Sequence, residues 1–133
     1  LAGALLEHLV EKPPKPGAIE AFDAAVDAMA AAARDGRALE DLAAADLDIV
    51  RALLSATGST VLVLCMNPVI NVISGSAGLR AALYGDPATN VIAWRALGAW
   101  LRDPRPEGLG LMVRVVEEHD RQSVLRLRRK RTR

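Results

Sequence analysis

The stretch TVLVLC, Thr60–Cys65, decides the fold of this 133-residue chain. Six apolar or β-branched residues in a row suit a buried strand. Both flanks carry helical spacing, however, and no other stretch offers a partner strand. The segment Thr60 to Tyr84 is therefore predicted helical, kinked at Pro68 and loosened or interrupted by SGSAG at residues 74–78. Cys65 is the single cysteine, which excludes an internal disulfide and fits a reducing cytoplasm. Its apolar neighbours predict a buried small hydrophobe rather than a nucleophile.

Working upstream, DLDIVRALLSATGS (Asp46–Ser59) reads as the last turns of an amphipathic helix running from about Ala38 to Thr57, closed by Gly58. Before it, Ile19, Phe22, Val26, Met29 and Ala33 recur at intervals of three and four, with Gly36 placed as a stop. Residues 1–12 also have helical spacing and halt at PPKPG. Downstream, Asp86 followed by Pro87 is a capping carboxylate with proline at the first helical position. The helix it opens carries Val91, Trp94, Leu97 and Leu101 on one stripe and stops before DPRP. Pro106 begins a last helix with Leu109, Met112, Val116, His119 and Ser123 along one face. The predicted architecture is an all-α antiparallel bundle of six to seven helices over residues 1–125, with a basic tail at 126–133. Because residue 1 already falls inside a helical pattern, the sequence reads as a fragment of a longer protein.

Composition narrows the function classes. About half the residues are apolar, mostly Ala, Leu and Val, and only Phe22, Tyr84, Trp94 and Trp100 are aromatic. No uninterrupted apolar run reaches the length of a membrane span, and no signal peptide is recognisable. A net charge of +1 hides an asymmetry: from Arg121 onward there are seven basic residues and no acid, so the body carries ten basic against sixteen acidic side chains. The tail, lacking aromatic neighbours, reads as a solvated end in preference to a nucleic-acid contact. No GxSxG, HExxH, GxxxxGK[ST] or GxGxxG pattern occurs, and His8 and His119 lie far apart, so catalysis is not expected.

Two polar residues interrupt apolar stripes. Asp46 lies among Leu39, Leu42, Ala43, Ile49, Val50 and Leu53; His119 has the same status on the last helix. A buried carboxylate costs several kcal/mol unless paired. His119 is an available donor, which gives either a structural Asp–His pair or two helices facing a polar-lined cavity.

The opening residues of that helix end also resemble a known family. Asp46, Val50, Arg51, Ala52, Leu53, Ala56, Thr57, Gly58 and Ser59 resemble the third-helix pattern of the ligand-binding C-terminal domain in the FadR branch of GntR-type transcription regulators. WRALGAWLRDPRPEGL (Trp94–Leu109) and VEEHDRQSV (Val116–Val124) resemble two further segments of that domain, so that the resemblance spans about Leu39 to Val124. Many members bind a divalent metal through one aspartate and three histidines, and the metal helps hold a small carboxylate. Asp46 and His119 fall on the aspartate and last-histidine positions, whereas Val50 and Trp94 fall on the other two. The resemblance therefore implies a lost metal site and no cofactor. ATGSTVLVLCMN (Ala56–Asn67) and LYGDPAT (Leu83–Thr89) are similar to the fatty-acid-responsive FadR type, although that regulator's acyl-CoA motif has no counterpart around His119.

What the resemblance implies is an effector-sensing, homodimerising and cytoplasmic domain, taking a fatty-acyl group or other organic acid and controlling DNA binding by an N-terminal winged helix. Asp46, Val50, Asn67, Asn71, Trp94, Arg114 and His119 are the expected ligand-binding residues. The alternative is a structural dimerisation bundle whose vestigial pocket is filled by Trp94.

Overall fold

The computed structural model describes residues 2–131; Leu1, and Thr132 and Arg133 of the basic tail, lie outside the described residues. Among the described residues seven helices follow one another: α1 (Ala2–Glu11), α2 (Pro16–Arg34), α3 (Leu39–Thr57), α4 (Thr60–Gly75), α5 (Ala77–Leu83), α6 (Pro87–Leu101) and α7 (Pro106–Arg131). No strand occurs among the described residues, so the all-α expectation holds and TVLVLC is the start of α4.

The boundaries have local causes. Pro16 sits in the first turn of α2, where its missing N–H costs nothing. Gly58 takes φ 64°, a left-handed conformation open to glycine, and its N–H returns to the Ser55 carbonyl to close α3. The Ser59 hydroxyl then caps α4 by accepting from the Leu62 N–H at 3.3 Å. Pro68 is accommodated inside α4, and the real break comes at Ser76, whose extended backbone separates α4 from α5 at a bend of 100°. Asp86 caps α6, accepting from the Thr89 hydroxyl at 2.5 Å and from its N–H at 3.4 Å.

The core joins α1 (Leu6, Leu9), α2 (Phe22, Val26, Met29), α3 (Leu42, Ala43, Ile49, Leu53), Tyr84 and α6 (Leu97, Leu101). Helix α2 packs on α3 and α6, while α1 and α5 pack on α7. Helix α4 is different: none of its residues is fully buried. Cys65, expected inside, is exposed. The physical reason is that α4 is apolar over most of its circumference, with Thr60, Asn67, Asn71 and Ser74 on one narrow stripe, so periodicity leaves several faces free to turn inward. Val61, Leu64, Cys65, Pro68 and Val72 share the outward stripe, with Val61 69%, Leu64 62% and Val72 59% exposed. No single described helix is long and apolar enough to cross a membrane; α4 and α5 reach that length and composition only as a pair, sharply bent.

At the other end α7 runs without a break through residue 125 as far as Arg131. Arg126 stays with the body, donating to the Ala82 carbonyl at 3.5 Å.

Candidate functional site

Asp46 is placed by the amphipathic register of α3, which turns it toward α6 and α7 at the edge of the core. Its two oxygens are both engaged. The Tyr84 hydroxyl donates to Oδ2 at 2.8 Å, and the Trp94 indole N–H donates to Oδ1 at 2.6 Å. This corrects the pairing expected from helix phase. His119 donates no hydrogen bond to Asp46, although it lies close enough to favour the carboxylate electrostatically. The reason is one of reach: α5 ends at Leu83 and leaves Tyr84 buried against α3, and the phenol and indole occupy the positions a histidine would need.

Burial raises the Asp46 carboxyl above its ordinary value, against the opposing effects of Tyr84, Trp94 and His119 in that order. Tyr84 is also pushed up, first by burial and then by the neighbouring Asp46 charge, so its hydroxyl keeps its proton as a donor.

These groups line a cavity of about 190 Å³ bounded by α3, α6 and α7. Asp46, Tyr84, Asn90, Trp94, His119 and Asp120 supply its polar wall, and Ile73, Leu97, Met112 and Val116 its apolar one. By liquid volume it has room for roughly six water-sized groups. A second cavity of about 320 Å³ lies beyond Trp94, lined by Leu5, Leu6, Val50, Leu54, Leu62 and Met66. Trp94, Leu97, Val116 and Asp120 belong to both, so the indole stands as a partition between a polar-ended and an apolar chamber. Trp94 thus divides the space and does not fill it. Phe22 holds the indole from behind in an edge-to-face contact, ring centroids 6.1 Å apart.

The structure brings together Asp46, Trp94 and His119 in the first cavity, with Val50 across the partition in the second. Asn67 and Asn71 are exposed on α4 and line neither cavity. Arg114, exposed on α7, borders a shallow outer groove with Ile92 and Gln122, which touches the site only through Ala93, Val115 and His119. Three residues that sequence reasoning missed are Tyr84, Asn90 and Asp120. Asn90 could have been found, because it stands one turn before Trp94 on the stripe of α6, a buried polar group in an apolar row as Asp46 is. Asp120 is hidden in the charged run EEHDR, and Tyr84 in a turn; neither position carries a periodic signal.

The donor set does not fit a divalent metal. Of the four family ligand positions only Asp46 and His119 bear ligating atoms, and both Asp46 oxygens already accept from Tyr84 and Trp94. Among the described residues no three His, Cys, Asp or Glu side chains converge. His8 is occupied elsewhere, bonded through Nε2 to the Thr57 carbonyl at 2.9 Å.

Compared with known proteins, the chain matches the family model for the FCD domain over residues 3–122. No curated protein and no solved structure matches it.

Proposed function

The chain belongs to the FCD domain family, the C-terminal domain of GntR-family transcription regulators, and on that premise we propose that it senses a small, mostly apolar effector in the paired cavities and passes the signal to an upstream DNA-binding winged helix. FCD domains are regulatory parts of transcription factors and not an enzyme family. The observation that carries the reading is the cavity itself: a polar end built on Asp46, Tyr84, Asn90 and His119, beside an apolar chamber of about 320 Å³ that shares Trp94 as a wall. A fatty-acyl body fits the apolar walls, and no metal takes part.

The route to the DNA-binding part runs through α1. Leu5 and Leu6 line the second chamber, so a ligand that fills it bears on the helix nearest the upstream region. Such a ligand shifts the arrangement of two recognition helices only by its differential affinity for the two states.

The same reading includes a homodimer formed through the outer stripe of α4. From Ala52 to Leu79 no side chain is charged, so the stripe does not repel its own copy, as a two-fold interface requires. Exposed Val61, Leu64 and Val72 at helical spacing supply the apolar area. Native mass spectrometry of the purified protein tests both parts. The expected spectrum is a dimer carrying a retained small molecule, with Leu64→Glu appearing as a folded monomer because the side chain is exposed. A bare dimer that shows no thermal shift with any apolar acid, alcohol, amine or acyl-CoA contradicts the sensor and favours a structural dimerisation bundle.

A further inference from the structure

The sensor reading leaves the polar end of the ligand open, and the wiring of the cavity specifies it. Most of its donors are already used. The Tyr84 hydroxyl and the Trp94 N–H both point at Asp46, and the Asn90 side-chain amide donates to the Leu83 carbonyl at 3.0 Å. That last bond fixes the amide orientation and leaves Asn90 Oδ1, on a residue only 1% exposed, with no protein donor. Acceptors remain: Asn90 Oδ1, the spare lone pairs of the Asp46 carboxyl, and Asp120 at the rim. Neither chamber is lined by a lysine or arginine, and the donors to spare are those of His119 and the second Asn90 amide hydrogen.

Resting on the sensor reading, we propose that this cavity takes an apolar molecule headed by a hydrogen-bond donor, a hydroxyl or a protonated amine, and turns away free carboxylates. A donor head lies beside the carboxyls of Asp46 and Asp120, in a wall that also holds Asn90. A carboxylate head sets acceptors against acceptors in a partly desolvated space whose lining holds no lysine or arginine to offset its charge. Discrimination of this type, in which the site's buried polar atoms are left unpaired by the wrong ligand, is strong relative to what an apolar pocket alone achieves. The class departs from the acids that the family resemblance implies, and the departure follows from the same residues that cost the site its metal ligands.

The test is calorimetric titration of the purified protein with three ligands of one chain length: 1-hexanol, hexylamine and hexanoate, at neutral pH and physiological salt. Hexanol and hexylamine are expected to bind, and hexanoate to bind at least about tenfold more weakly than hexanol, the step that one unpaired or repelled polar contact produces. Asp120→Lys, altering a rim residue outside the core, is expected to reverse the order and favour hexanoate. Hexanoate binding as tightly as hexanol to the unaltered protein overturns the donor-head proposal while leaving the sensor in place. Absence of binding by all three overturns the sensor reading with it.

Discussion

Replacing Asp46 with alanine is expected to lower the unfolding free energy by about 2–5 kcal/mol, because it strands two partly buried donors at once. The Tyr84 hydroxyl and the Trp94 N–H both end on this carboxyl, from segments 38 and 48 residues away along the chain. Asp46→Asn separates the hydrogen bonds from the charge. The asparagine Oδ1 accepts from Trp94, and its Nδ2 donates to the Tyr84 oxygen, which turns from donor to acceptor. That variant is expected to stay within about 1 kcal/mol of the unaltered protein at neutral pH. Urea denaturation checks both, with the midpoint moving and the slope unchanged. The two differ again in pH dependence. Burial raises the native Asp46 carboxyl above its unfolded value, so between the two values the native state binds more protons. This component of stability is therefore lost as pH rises from the ordinary carboxylate range through the folded value, and Asp46→Asn is expected to flatten that part of the profile.

Phe22→Ala is expected to cost about 3–5 kcal/mol, the range for truncating a fully buried aromatic ring. Its surroundings leave little room to collapse. A β-carbon added at Gly98 would come within 3.1 Å of the Phe22 ring and 3.3 Å of Asp23, so glycine is what lets α6 approach α2 at this level. The Asp23 carboxylate fixes the same junction by accepting from Arg102. Truncation also removes the edge contact that seats Trp94, so the loss of stability is expected together with a shift of the tryptophan fluorescence. A cost below about 1 kcal/mol, measured by the same denaturation, would mean that Phe22 does not anchor the partition.

Most of the fold is written in local chemistry. Asp86 with Pro87, Gly58 and the PPKPG run each act within one turn of the chain, and each marks a helix end in the structure. Asp46 also announces itself, since a carboxylate in an apolar row needs an explanation whatever the fold. What it binds was not legible. Tyr84 and Trp94 reach it only because α5 and α6 pack as they do, and nothing within one helical turn of Asp46 encodes that. His119, the partner helix phase favoured, shares the cavity without sharing the bond. Helix α4 misleads in the opposite way: apolarity over most of its circumference offers too many inward faces, and Cys65, expected on one of them, lies on an outward one. Val50 and Trp94 gave more. Read as positions where ligating atoms are missing, they point to an apolar or vestigial pocket, and both line the second cavity.

An effector that enters the cavity beside Asp46 meets Trp94, which makes that indole a built-in reporter. The chain has two tryptophans, so nitrogen-labelled protein gives two indole N–H resonances, assigned by a Trp94→Phe variant. Trp94 lines both chambers, whereas Trp100 lines neither and packs over Gly108. Titration with 1-hexanol is predicted to move the Trp94 resonance in a saturable way and leave that of Trp100 in place. Saturable binding that leaves the Trp94 resonance unmoved would contradict the account.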